Sequence, residues 1–111
     1  MAVFKGDYGF SVDFDVKFDI SGMSQARMLI RKPGGEVVFY DFSAGEIAAA
    51  TVGSVLSYAV RSGDLDDGNM AKKGKFIFQP MSKDASSDLG FDPLEITAEA
   101  RLSGAPWSGT P

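Results

Sequence analysis

Phe10-Ser11-Val12-Asp13-Phe14-Asp15-Val16-Lys17-Phe18-Asp19-Ile20 carries an apolar side chain at every even position and a polar or charged one at every odd position. A strand points successive side chains to opposite faces, so this stretch reads as one apolar face and one charged face. A helix would scatter the same residues around its circumference. The stretch predicts one long, half-buried strand, with room for a bend near its middle, ended by the turn residues Ser21-Gly22.

The same alternation continues outward from it. Gln25 to Lys32 predicts a strand with Ala26, Met28 and Ile30 inward and Gln25, Arg27 and Arg31 outward. Leu29 interrupts that polar face and is read as a contact for a partner. Lys32-Pro33-Gly34-Gly35-Glu36 is a turn, because proline fixes φ and glycine supplies positive φ at little steric cost. Val37 to Phe42 then completes a hairpin. From Ser43 to Gly53 a strand or irregular linker is favoured. The alanines of Gly45 to Thr51 suit a helix, but so short a segment is marginal alone. Val55 to Arg61 alternates again, with Leu56, Tyr58 and Val60 on one face, and Ser62 to Asn69 is a long polar turn. Lys75 to Gln79 is a short strand around Phe76 and Phe78 that Pro80 ends. Ser82 to Gly90 is a polar loop. Leu94 to Leu102 is the last strand, with Pro93 at its first position. On the other side, Gly6-Asp7-Tyr8-Gly9 is a turn or bulge that lets the chain change sheets.

About seven strands with turns between them and no helix predict an all-β fold. An antiparallel immunoglobulin-like β-sandwich is favoured, with a small barrel as the alternative. The antibody-type cysteines and core tryptophan are absent, so the likeness is architectural. Residues 1–103 are expected to form the sandwich. Residues 104–111 are expected to form a tail, extended or docked on a neighbour.

At 111 residues the chain has the size of one domain. Hydrophobic residues at 44% and charged residues at 23% are a globular balance, not that of a disordered chain. Eleven basic against fifteen acidic residues give a net charge of −4, which repels a phosphate backbone. Arg27, Arg31 and Lys32 are the densest basic group and read as a solvated strand face. No nucleic-acid partner is expected. The opening Met1-Ala2-Val3-Phe4-Lys5-Gly6-Asp7 shows no basic segment leading into an apolar one, so no secretory signal is expected. No apolar run approaches the roughly 20 residues of a membrane span, so a soluble chain without a membrane partner is expected.

The sequence contains neither histidine nor cysteine. That removes Ser-His-Asp and Cys-His catalysis, disulfides and the usual zinc sites together. Asp13 and Asp15 share a strand face and could in principle act as paired carboxylates. They belong to a regular alternation, however, and solvent-facing acids need no further reason. Asp64-Leu65-Asp66-Asp67-Gly68-Asn69 has the composition of a calcium loop. An EF-hand register from Asp64 would put Asn69 where glycine belongs and Lys75 where the bidentate glutamate belongs. A turn in which aspartates cap backbone amides is the favoured reading. No enzyme activity, cofactor or metal is expected. Trp107, the single tryptophan, lies in the tail, where it reads as an anchor on a neighbouring subunit, since tryptophan is enriched at binding hot spots.

Val3-Phe4-Lys5-Gly6-Asp7-Tyr8-Gly9 resembles the hydrophobic–Phe–Lys–Gly–Asp–x–Gly opening of small β-sandwich domains in bacteriophage tail and baseplate proteins, such as the N-terminal domain of baseplate upper proteins. Three further segments are similar to that family in order. Asp19-Ile20-Ser21-Gly22 resembles its Asp–hydrophobic–Ser/Thr–Gly turn, Ile30 to Gly35 its Lys–Pro–Asp–Gly hairpin, and Gly63-Asp64-Leu65 its Gly–Asp–Leu turn. The resemblance runs from about Val3 to Leu102. It departs at Ser82 to Gly90, a polar insertion in place of a tight hairpin, and no helical stalk is expected after the domain. It implies a virion structural protein made in the host cytoplasm, in the tail, baseplate or fibre-attachment region. Its expected partners are other virion proteins and copies of itself. Phe4, Tyr8, Leu29 and Trp107 are the candidate interface residues. The alternatives are a capsid-decorating subunit and a carbohydrate-binding module that stacks Tyr40, Tyr58 and Trp107 on a host glycan.

Overall fold

A computed structural model describes residues 2–101; Trp107 and the tail of residues 104–111 lie outside the described residues. Among the described residues, nine strands form two sheets, joined by one short helix. In chain order they are β1 (Val3–Phe4), β2 (Ser11–Asp15), β3 (Gln25–Arg31), β4 (Val37–Phe42), α1 (Ala44–Ala50), β5 (Thr51–Val52), β6 (Val55–Ala59), β7 (Gly74–Lys83), β8 (Asp88–Gly90) and β9 (Leu94–Glu99). The larger sheet has the order β1-β9-β7-β3-β4, with β8 also paired to β7, and the smaller one β2-β6-β5. All pairings are antiparallel except β1 with β9. The chain therefore crosses from one sheet to the other between β1 and β2. Gly6 and Gly9 make that crossing at φ +84° and +86°, a region open to glycine at little cost.

The inward faces of both sheets share one core. Met28, Ile30, Phe76, Phe78 and Ala98 from the larger sheet meet Phe14, Leu56 and Tyr58 from the smaller one. The inward sets expected on β3 and β6 are the buried ones. Where β7 begins, it passes so close to the β3–β4 turn that a Cβ on Gly74 would stand 2.5 Å from Cγ of Pro33. A proline ring cannot rotate away. Gly74→Ala is therefore expected to destabilise the fold by about 1–3 kcal/mol, by overpacking, measured as a lower urea midpoint with an unchanged slope.

Several expected elements are drawn differently by the structure. The strand expected over Phe10 to Ile20 is only β2, because the chain turns at Lys17, the one described non-glycine residue with positive φ (70°). The Asp15 side chain accepts from the Lys17 amide at 2.9 Å, and the Asp19 side chain accepts from the Ser21 amide at 2.9 Å. Aspartates that look like a solvent face are here turn formers. That local bond also holds Asp19 below its ordinary carboxylate range, through the Ser21 hydroxyl first and the Ser21 amide second. Val16 and Ile20 remain buried, but Phe18 is 45% exposed rather than inward.

The segment after β4 is a helix, not a strand or linker. Ser43 and Glu46 form a reciprocal capping box that satisfies orphan amides at its start. Ile47 is fully buried and fixes the helix against β3, β4 and β6. Tertiary packing thus supplies what seven residues lack alone.

Pro80 does not end β7. The Pro80 carbonyl accepts from the Phe91 amide, so its ring nitrogen points the same way, into the gap between β8 and β9 where no donor is required. The polar stretch after it is a tight β7–β8 hairpin. Asp84 organises its turn by accepting from the Ser86 and Ser87 amides at 2.9 Å, and those bonds lower its pKa, the Ser86 amide foremost. The last strand ends at Glu99. The short elements β1, β5 and β8 raise the strand count above the expected seven, because two or three residues cannot show an alternation.

Candidate protein-interaction surface

Phe4 and Tyr8 flank a built clasp rather than a free loop. The Phe4 amide donates to Asp7 Oδ2 at 2.9 Å while the Asp7 amide donates back to the Phe4 carbonyl at 3.0 Å. This turn aims Lys5 inward. Its side chain is buried, and Nζ donates to Asp67 Oδ1 at 2.7 Å and to the Asn69 carbonyl at 2.9 Å. The loop with calcium-like composition thus closes around the Lys5 ammonium. Its other acids are occupied too. Asp64 accepts from the Tyr58 hydroxyl and the Arg61 amide, and Asp66 from the Gly68 amide. On the other flank Arg101 pairs with Asp7 and donates to the Lys5 carbonyl at 2.8 Å. Lys5, Gly6 and Asp7 therefore tie the N-terminus to the loop and to the end of β9. The residues left facing outward are Phe4, 40% exposed, and Tyr8, 63% exposed.

Leu29 lies elsewhere on the same outer face. Register places it in a row with Phe39 of β4 and Gln79 of β7. Phe4, paired with Glu99 at the opposite edge, is three strands away, beyond rows holding Lys75, Thr97 and Glu95. The structure does not bring Phe4 and Tyr8 together with Leu29. Around Leu29 it gathers Val37 and Phe39, which are 50% and 57% exposed. Composition alone did not single these out. The signal was present in Val37-Val38-Phe39-Tyr40-Asp41-Phe42, where apolar residues fall on both phases of the alternation. Arg27 lies over the Phe39 ring at 4.0 Å and forks onto Asp41, at 2.5 Å from Nε and 3.1 Å from the second nitrogen. The bond to Asp41 raises the Arg27 pKa further above its ordinary range.

Among the described residues β4 is also an open edge, since only β3 pairs with it. The Lys32 amide donates to the Glu36 carbonyl at 2.7 Å. In an antiparallel ladder bonded pairs alternate, so Val38, Tyr40 and Phe42 bond to β3. Val37, Phe39 and Asp41 direct their amides and carbonyls away from the sheet.

Two other arrangements offer less. A groove of about 390 Å³ lies at the far end of the larger sheet between Gln25, Arg27, Asp41, Met81, Lys83 and Asp88. Its two cations face two carboxylates, so it selects no charge. The tyrosines of the glycan reading are covered. Tyr58 is 1% exposed. Tyr40 has the Arg61 guanidinium over its ring at 4.0 Å and its hydroxyl on Glu46. That shared bond lowers the Glu46 pKa and raises that of Tyr40. Asp13 and Asp15, the carboxylates on β2, accept from Ser57 and from the Lys17 amide.

Comparison with protein-family models, with curated proteins and with solved structures finds no match to this chain.

Proposed function

We propose that this chain is a bacteriophage virion structural protein, a tail or baseplate subunit or fibre-attachment adaptor, that acts by protein–protein assembly. The observation that carries the reading is the open edge of β4. Apolar side chains and unpaired peptide groups coincide there on one exposed strand, which is the combination a neighbouring chain can complete. Phe4 and Tyr8 form a second apolar contact at the opposite edge, held in place by the Lys5 clasp. Trp107 is assigned to the same contacts from sequence alone. We class the two-sheet architecture as immunoglobulin-like, on the parallel pairing of the short first strand with the last one at the edge of an otherwise antiparallel sheet.

The test is immunogold labelling of purified particles of the phage whose genome carries this sequence, with a peptide count by mass spectrometry. Label at the tail or baseplate is expected. Label confined to heads would favour the capsid-decorating alternative, and particles free of the chain would overturn a virion role.

A further inference from the structure

We infer that a second copy of this chain occupies the free edge of β4, joining the two larger sheets by an antiparallel β4–β4 contact centred on Phe39. The inference rests on the assembly reading above and names its partner.

The edges of the two sheets are not equivalent. β1, β5 and β8 have two or three residues each, too few to template a neighbour. β2 has five residues, two of which are the exposed Asp13 and Asp15, a charged guard of the kind that blocks edge pairing. β4 has six residues, no proline or lysine, and one carboxylate that Arg27 already neutralises. A strand of that composition, left uncovered, is an aggregation site.

The pattern of free groups on β4 is self-complementary. A two-fold axis through Phe39 sets Phe39 against Phe39 of the second copy and Val37 against its Asp41. All of these residues direct amide and carbonyl outward, so each facing pair exchanges two N–H···O bonds and none is left over. A slip of one residue would set them against groups already used in the β3 ladder, and a slip of two would strand an end. The same register lays Leu29, Phe39, and Phe39 and Leu29 of the second copy in one apolar row.

Charge agrees with the register. Arg31 is exposed and forms no ion pair among the described residues. It pairs with Val37 in the β3–β4 ladder, so Asp41 of the second copy would lie two strand spacings away, about 10 Å. An extended arginine lying over Val37 reaches that far. Each Asp41 then sits between its own Arg27 and Arg31 of the other copy.

The experiment is sedimentation equilibrium on the full chain, wild type and Phe39→Lys. A mass twice that of the chain is expected for the wild type. Phe39→Lys sets two ammonium groups on the axis and is expected to raise the dimer dissociation constant roughly tenfold or more, with the circular dichroism spectrum unchanged because the side chain is already exposed, and with the concentration dependence of melting lost along with the dimer. In a chain without cysteine, Phe39→Cys is expected to give a disulfide-linked dimer on oxidation, and Asp13→Cys is not. A wild type that stays monomeric at its highest soluble concentration overturns the inference, as does a dimer indifferent to Phe39→Lys. Particle labelling separates the two readings, since a monomeric chain found in virions leaves the assembly role standing and removes only this contact.

Discussion

Lys5→Ala is expected to lower the free energy of unfolding by about 3 kcal/mol, a large part of the 5–15 kcal/mol typical of a domain. The Lys5 side chain is 1% exposed and that of its partner Asp67 is 13% exposed. Removing the ammonium leaves a nearly buried carboxylate and the Asn69 carbonyl without their shared donor, and the lost desolvation is not recovered. The figure stands at the lower end of the range for broken buried pairs because Asp67 keeps some contact with water. Lys5→Met separates the causes. It keeps the aliphatic stem and loses the ammonium, with its bonds to Asp67 and Asn69 and its place 5.6 Å from the centre of the Phe76 ring. Urea unfolding of the three proteins checks this. An alanine variant within 1 kcal/mol of wild type would mean that the clasp does not hold the fold together.

The same pair predicts an acid dependence. Burial alone would raise the Asp67 pKa, but hydrogen bonds from Lys5 and the Asn69 amide outweigh it and hold the group below its ordinary value of 3.8. A carboxylate depressed in the folded state stabilises the fold above the unfolded pKa, and that contribution disappears as pH falls through the folded value. Wild-type stability should therefore drop below pH 3.8 by more than that of Asp67→Asn. Comparing the two proteins removes the contributions of Glu46, Asp19 and Asp84, whose pKa values are also lowered.

The fold was legible where one rule governed a segment. On β3 and β6 the period of two decides everything, and the inward sets agree residue by residue. It failed where side-chain bonds compete with the period. Asp15 and Asp19 keep the alternating pattern while their oxygens pull the backbone into turns, so Phe10 to Ile20 looks like a strand beyond its true end. Ser43 and Glu46 spell a capping box, yet alanine-rich helices of this length are marginal until Ile47 finds its socket, which only the tertiary structure provides. Pro80 breaks a strand only if its nitrogen faces a partner, and register is invisible before the sheet is assembled. The surface was half legible for a related reason. Leu29 stands out because its neighbours on that face are polar. Val37 and Phe39 do not, because where apolar residues fall on both phases of a strand the buried and exposed phases look alike. Lys5 and Asp7 were read as part of a motif; what Lys5 does there follows from a loop some sixty residues away in the chain, and what Asp7 does follows from Arg101, farther still.

Tyr58→Ala is expected to cost about 4 kcal/mol, within the range for large aromatic deletions, and Tyr58→Phe about 1–2 kcal/mol. The ring lies at the meeting point of both sheets, with centroids 5.9 Å from Phe78, 6.0 Å from Phe42 and 6.4 Å from Tyr40. Deleting it opens a cavity where neighbouring rings are pinned by their own strands. The hydroxyl is a separate contribution. It donates to Asp64 Oδ2 at 2.5 Å, and the same oxygen accepts from the Arg61 amide at 2.9 Å. Phenylalanine keeps the packing and removes one of those donors from a buried carboxylate. Burial, and then the Asp64 carboxylate, push the phenol pKa well above its ordinary value of 10.0. A group that holds its proton more tightly when folded stabilises the fold below the unfolded pKa, and the stabilisation is lost as pH rises past it. Wild-type stability should therefore fall above pH 10 relative to Tyr58→Phe, so that the gap between the two narrows in alkali. A gap that stays constant from neutral pH to pH 11 would mean that the phenol ionises equally well in the folded and unfolded chains, and that its bond to Asp64 does not join the loop to the core.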